Sequence, residues 1–277
     1  MAVGDLLVAD YQYEFRGFLW GAGTAYVNES ADGLLSMADV SGGDLDIEGD
    51  HGSVPGLAVL RKKIVTCKIK PDFSPATTEA MIALLQSTFQ LPRRRYVANL
   101  EQLAFRRNGI KKFLWVRCDK RDIPSDYKTA MGSPDVVVQF TAPDPIIYGL
   151  VLKTQNIVVA SGATTNSGVV VNAGDFRDGY LPKITINGPA TNPRIQSTED
   201  DARQLKITNV LTAGQSIVVD FATKTVSKGG VVDHDLLAND SQWFAILPGN
   251  NTLTVNRDVG NTGASSTITV EWRDTYS

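Results

Sequence analysis

Histidine is nearly absent from this 277-residue chain, with only His51 and His234. Neither has a second histidine at ligand spacing, and a zinc site wants a closed set of about four ligands. His234 lies in Val232-Asp233-His234-Asp235, which reads as a solvated turn, so no metal is expected there. Cysteine is as scarce. Cys67 and Cys118 both sit in apolar strand-like runs, where a thiol behaves as a small buried hydrophobe. A disulfide framework would need more cysteines in fewer residues, so two reduced thiols in a chain made in a cytoplasm are expected. No apolar run approaches the roughly 18 residues that cross a membrane as a helix. The start, Met1-Ala2-Val3-Gly4-Asp5, lacks the basic-then-apolar order of a signal peptide. The nucleophile elbow, the phosphate-binding loop and the dinucleotide fingerprint are all missing. Acids number 30, but nothing in the pattern selects two of them as a catalytic pair. No catalytic residue and no cofactor is expected.

What is present is alternation. Hydrophobic residues make up 43% and charged residues 21%, an ordinary globular balance. The 24 Gly and 12 Pro are spread out, as many strands joined by tight turns require. Tyr11, Tyr13 and Phe15 alternate with Gln12, Glu14 and Arg16. Further strands are expected over 57–70, 96–106, 112–118 and 136–141. One helix is expected over 77–90, with Met81, Ile82, Leu85 and Phe89 on one face and Pro92 ending it. Ala142-Pro143-Asp144-Pro145 marks a boundary, because two prolines so close do not sit inside a sheet. Two domains follow, 1–145 and 146–277.

Beyond residue 181 the period is two almost throughout. Ile184 and Ile186, Leu205 and Ile207, Ile217, Val219 and Phe221, Leu253 and Val255, and Ile268, Val270 and Trp272 each face one side. Short strands at this spacing indicate an antiparallel sandwich. Trp20, Trp115 and Trp272 are expected in the core, the last two because each has apolar same-face neighbours.

Two charged segments stand out. Asp44, Asp46, Glu48 and Asp50 alternate with Leu45, Ile47 and Gly49 inside a long Gly- and Asp-rich excursion over 36–58. The run resembles the start of a calcium loop, but its twelfth position is Pro55 rather than a bidentate Glu. A solvated loop face and an arm that docks on a basic partner are the other readings. The second segment runs from Arg93 to Arg121 and holds Arg93, Arg94, Arg95, Arg106, Arg107, Lys111, Lys112, Arg117, Lys120 and Arg121, opposed by Glu101 and Asp119. The net charge of -3 argues against a free-standing nucleic-acid binder. The block reads either as a solvated, salt-bridged surface or as the surface that meets the acidic segment of a neighbouring copy, a head-to-tail contact that can close into a ring.

Several segments together resemble one family. They are Asp50-His51-Gly52-Ser53-Val54-Pro55-Gly56 followed by Arg61-Lys62-Lys63-Ile64-Val65, then Ala142-Pro143-Asp144-Pro145-Ile146-Ile147-Tyr148, then Asn172-Ala173-Gly174-Asp175 with Leu181-Pro182-Lys183-Ile184-Thr185-Ile186-Asn187-Gly188. Leu247-Pro248-Gly249-Asn250-Asn251-Thr252-Leu253 and Ile268-Thr269-Val270-Glu271-Trp272-Arg273-Asp274-Thr275-Tyr276 complete the order. The chain resembles the distal tail proteins and related minor tail proteins of long-tailed phages. That resemblance implies a mainly β fold: an N-terminal β-sandwich or split-barrel ring domain with one helix, and a C-terminal galectin-like antiparallel sandwich. It implies a ring, usually of six copies, at the tail tip of the virion. The partners it implies are the tail tube protein and the tail-tip hub, with DNA passing as cargo through the lumen and no membrane. The alternative is an adhesin that binds carbohydrate through the C-terminal sandwich, for which Trp243, Phe244 and Tyr180 are the candidate residues.

Overall fold

The expectation of a mainly β chain with few helices holds. The computed structural model describes residues 2–41, 45–46, 53–54, 59–72, 77–90, 100–259 and 263–277, with the backbone alone at 45–46 and 53–54. The chain divides into two compact units, Met1–Leu150 with Ser277, and Val151–Tyr276.

The first unit is organised by one antiparallel sheet. Its strands follow the order Phe18–Gly21, Gln12–Phe15, Glu101–Arg107, Ile110–Asp122, Val136–Ala142, Lys63–Pro71, Tyr26–Asp32, and Ile147–Gly149 pairs beside Ile110–Asp122. Register places Tyr13, Phe15, Phe18, Trp20, Leu103, Phe105, Leu114, Val116, Cys118, Val138, Phe140, Val65 and Cys67 on one face. All of them are buried. The helix runs Thr78–Thr88, and Met81, Leu85 and Phe89 are buried while Ile82 is only half-buried. The Phe89 ring meets Phe15, Phe18, Trp20 and Phe140 at centroid distances of 5.6 to 6.0 Å.

A second, short helix at Tyr127–Ala130 was not expected. Asp126 caps it by accepting from Thr129 N–H at 2.9 Å. Four residues carry too little periodicity to be seen in a sequence.

The other face of this sheet overturns one reading, the burial of Trp115. Gln12 and Glu14 alternate with aromatics, yet both are buried, so this strand has no solvent side. The N-terminal segment folds over them. Glu14 Oε2 accepts from Gly4 and Leu6 N–H at 3.0 and 3.3 Å. Gln12 Oε1 accepts from Val8 and Ala9 N–H, and its Nε2 donates to Ala22 O at 2.9 Å. Their polar atoms are matched, which is what makes burial tolerable. Leu7 then packs on Ala104 and Phe113, with Leu19, Tyr148 and Leu150 around them. The cover stops there. Trp115, expected in the core, is 37% exposed, because it lies two residues beyond Phe113 on the covered face and past the end of that cover.

Burial lifts the Cys67 thiol from 9.0 to about 12 and the Cys118 thiol to about 11. Both are free and buried, as expected from their strand context. A folded-state value raised above the unfolded one means that the fold holds the proton more tightly. The stability this provides is present at neutral pH and is lost as pH rises from about 9 toward 11–12. Neither thiol should react with a disulfide reagent at pH 8 until denaturant unfolds the first unit. Stoichiometric labelling of the native protein would overturn that expectation.

In the second unit two sheets face each other. One has the order Lys153–Val159, Ser266–Trp272, Lys183–Asn187, Ser216–Asp220, Thr225–Lys228, Val231–Val232. The other has Thr165–Asn172, Gly249–Asn256, Arg194–Ser197, Gln204–Lys206. Every alternating apolar set named above joins a single core, including Ile184, Ile186, Ile217, Val219, Leu253, Val255, Ile268, Val270 and Trp272. The period of two therefore gave the inward face directly, because each sheet is covered on one side only.

Candidate assembly surfaces

The excursion between Leu34 and Lys63 is rooted firmly. Gly33 has φ +82, and a Cβ there would lie 2.1 Å from Ile64 O, so only glycine allows this approach. Lys63 is buried and donates from Nζ to Leu34 O at 3.2 Å, and burial lowers its pKa. Beyond the root the segment folds back on itself. Val40 and Ser41 pair with Leu60 and Val59, and Leu45 and Asp46 pair with Val54 and Ser53. Of the acidic candidates, Asp46 has only its backbone described, and Asp44, Glu48 and Asp50 lie outside the described residues. Arg93, Arg94 and Arg95 lie outside them too, as does His51.

The rest of the basic block is less free than its sequence suggests. Arg106 donates to Val8 O and pairs with Asp10 at 3.5 Å, while Asp10 also accepts from Gly109 N–H at 2.9 Å. These contacts tie the first residues of the chain to the turn after Arg107, which is half-buried. Glu101 does not oppose the block. It holds Arg16 with both carboxylate oxygens at 2.6 Å, and this hydrogen-bonded pair lifts the guanidinium pKa. Arg16 Nη1 also donates to Thr88 O and Gln90 O, and Arg121 Nη1 donates to Gln86 O at 2.6 Å. The last carbonyls of a helix lack intrahelical donors, and two arginines supply them here. Phe89, Gln90, Cys118, Lys120 and Arg121 line a shallow recess beside this helix end. Arg117 stays open, with Asp119 at 2.8 Å as a surface partner.

The candidate sugar residues sit as follows. Phe244 is buried and meets Phe221 at 4.8 Å. Trp243 is half-buried and edge-on to the same ring at 5.0 Å and 88°. Tyr180 is half-buried, bridges Ile246 through its backbone, and has its hydroxyl pKa raised by burial. Phe244 offers no face to a ligand, because its ring is spent on the core. Among the described residues, no group of three or more His, Cys, Asp or Glu side chains could hold a metal ion.

The motif residues that looked weak one at a time converge in space. Asn172 is fully buried, accepts from Gly174 and Thr275 N–H, and donates to Ile246 O at 3.0 Å. A Cβ on Gly174 would lie 1.8 Å from Thr275 O. Asp274 accepts from Ala173 N–H at 2.8 Å and from Lys153 Nζ at 2.7 Å. Asn-Ala-Gly-Asp and Trp-Arg-Asp-Thr-Tyr are thus two halves of one joint. Asn251 closes its own turn through Leu247 N–H and O at 2.8 and 2.7 Å. In the proline-rich boundary, Asp144 accepts from Ile146 N–H at 3.1 Å and from the Tyr148 hydroxyl at 2.5 Å. The signal that could have revealed these roles was the pairing of a buried-type Asn with a distant Thr, which only the fold displays.

Residues 173–276 match the family of the siphovirus-type tail component, C-terminal domain. That match falls within the second unit, Val151–Tyr276. Over this segment the chain is similar to the siphovirus-type tail component whose family model carries the name SPP1 Dit. The fold over the whole chain is similar to the crystal structure of phage SPP1 Dit, at 16% identity and a TM-score of 0.68, covering 96% of this chain and 99% of that one. That structure is described as a paradigm of the hub adsorption apparatus in phages infecting Gram-positive hosts. Two structures of the phage P2 baseplate in its activated conformation, with Ca and with Sr, align at 9% identity and a TM-score of 0.46, over 94% of this chain and 97% of theirs. No curated protein matches the sequence at a comparable level.

Proposed function

We propose that this chain is the ring adaptor of the tail tip: identical copies, six by family resemblance, close side by side through the first unit. One face of the ring seats the tail tube protein, the other meets the tail-tip hub, and the lumen lets DNA pass. The observation that carries this reading is a likeness spanning 96% of the chain and 99% of SPP1 Dit, combined with the tail-component match over 173–276. The mechanism is geometric. A rigid sheet fixes the angle between neighbours, and a paired extension rooted at Gly33 and Lys63 gives each copy an arm that reaches the next. The arm carries acids, and the Arg93 to Arg121 segment carries bases. Electrostatic matching of this kind sets register and association rate more than affinity.

Negative-stain microscopy of the purified protein should show rings with a central hole. A strictly monomeric particle at every concentration would end this reading. Reversal of Arg93, Arg94 and Arg95 to Glu should weaken the ring without lowering the melting temperature of the monomer. Mass photometry reads the outcome, and an unchanged oligomer would remove those three arginines from the contact.

A further inference from the structure

We propose that Asn108 is a latent deamidation site, kept intact in the folded chain by the carboxylate of Asp10. The inference stands on the first unit alone and does not depend on the ring reading above. Three observations carry it.

The first is the turn. Asn-Gly occurs twice in the sequence, at Asn108-Gly109 and at Asn187-Gly188. Asparagine is lost at such pairs by an intramolecular reaction. The backbone nitrogen of the glycine attacks Cγ of the asparagine, a new C–N bond closes a five-membered succinimide, and the side-chain nitrogen leaves as ammonia. Water then opens the ring at one carbonyl or the other, giving aspartate or isoaspartate, so no oxidant or reductant is consumed. Glycine hinders the attack least, because it has no side chain. Arg107 pairs with Ile110 across the turn, and Asn108 and Gly109 have φ +51 and +75, the two-residue hairpin in which Asn-Gly is favoured. Both residues are exposed, and a Cβ on Gly109 would meet nothing within 4 Å.

The second is the state of the attacking nitrogen, which must lose its proton to react. Gly109 N–H donates to Asp10 Oδ1 at 2.9 Å. The hydrogen bond holds that proton in place, and a negative neighbour disfavours the anion that its loss would leave. Asp10 is itself fixed by Arg106 at 3.5 Å, and Arg106 also donates to Val8 O. One clasp, Arg106–Asp10–Gly109, thus closes the turn onto the N-terminal segment.

The third is the contrast with the other pair. Asn187 ends a strand that is paired on both sides, with Ser216 and with Thr267. Gly188 N–H donates to Gln215 O at 2.9 Å, and a Cβ on Gly188 would lie 2.3 Å from Thr212 O. Both glycine N–H groups are engaged, but by different means. At Gly188 the acceptor is main chain beside a packed sheet end, whereas at Gly109 it is a single side chain, 38% exposed. The protection of Asn108 therefore rests on Asp10 and is lost with it. Conversion would set a second carboxylate beside Asp10, and isoaspartate would lengthen the backbone of the turn that fixes the register of Glu101–Arg107 against Ile110–Asp122.

The test uses the full chain, incubated in mildly alkaline buffer below its melting temperature. Peptide mass spectrometry reads the gain of one mass unit at each asparagine over time. Asp10→Ala should raise the conversion rate at Asn108 by about tenfold or more, the worth of a hydrogen bond to a charged acceptor. Asp10→Asn, which keeps an acceptor oxygen without the charge, should fall between wild type and the alanine variant. Asn187 should convert at the same slow rate in all three proteins. Lys111→Ala controls for general loosening, because Lys111 Nζ ties Gly4 O of the same N-terminal segment at 2.7 Å, away from the turn nitrogen. It should leave Asn108 at the wild-type rate. An unchanged rate in Asp10→Ala would overturn the guarding role, as would wild-type Asn108 that converts as fast as it does in denaturant. Equal acceleration by Lys111→Ala, or acceleration at Asn187, would overturn it too, since mobility and not the bond at Gly109 would then set the rate.

Discussion

Phe89→Ala should cost the first unit about 3–5 kcal/mol, the range for truncating a buried phenylalanine. The ring is 2% exposed and touches four other aromatics drawn from three separate strands. Aromatic pairs add about 0.5–1.5 kcal/mol each beyond the area they bury. Phe89 also ends the Thr78–Thr88 helix, and its carbonyl accepts from the Cys118 thiol at 3.8 Å. Losing the ring therefore opens a cavity where helix and sheet join, while the backbone carbonyls that Arg16 and Arg121 hold stay in place. A urea titration followed by Trp20 fluorescence reads the change. Phe89→Leu, which refills most of the volume, should recover more than half of it. A loss below about 1 kcal/mol for the alanine variant would mean that the site collapses easily. The ring would then not be the centre of the helix–sheet contact.

Arg257→Ala should destabilise the second unit by about 3–5 kcal/mol, the cost of breaking a buried charged network from one side. Arg257 is 3% exposed and donates to four backbone carbonyls: Ala160 at 2.8 Å, Ala163 at 3.1 Å, Pro189 at 3.0 Å and Ala264 at 2.9 Å. These carbonyls belong to three loops at one end of the sandwich. One guanidinium thus ties together segments that share no strand. Alanine leaves the acceptors buried without their donor, and an unmatched buried polar group costs about 1–3 kcal/mol. Lysine should rescue little, because a single ammonium cannot present the planar fork that reaches several carbonyls at once. Denaturant unfolding followed by Trp272 fluorescence measures this, and a lysine variant as stable as wild type would contradict the fork geometry.

Legibility differed between the two units for a physical reason. In the second unit the period-two pattern named the inward residues correctly, since each sheet has one wet side. In the first unit the same reasoning failed on one face. Gln12 and Glu14 share a strand with the aromatics and are buried on its other face. Trp115 looked like core and is exposed. Alternation says which residues share a face; it does not say how far a remote segment covers that face. Residues 2–10 and 143–150 make that choice. Their hydrogen bonds to Gln12, Glu14 and Lys111 span anything from three to 107 positions of chain.

The charged segments tell a similar story. The excess of arginine and lysine over 93–121 was plain in the sequence. That Glu101 serves Arg16, that Asp10 serves Arg106, and that two arginines complete the end of the helix could not be read there. Charges pair with whatever the fold brings within about 4 Å, and these partners come from outside the run.

The sequence by itself determined that this chain is strand-rich, with one helix of real length and few histidines and cysteines. Those features are local, set by side-chain period and turn chemistry. The tertiary structure alone decided which face of the first sheet is left open, which bases remain available, and that Asn172, Gly174, Asp274 and Thr275 form one joint. Those outcomes depend on contacts between segments as far as 107 residues apart, and a pattern of neighbours along the chain carries no record of them.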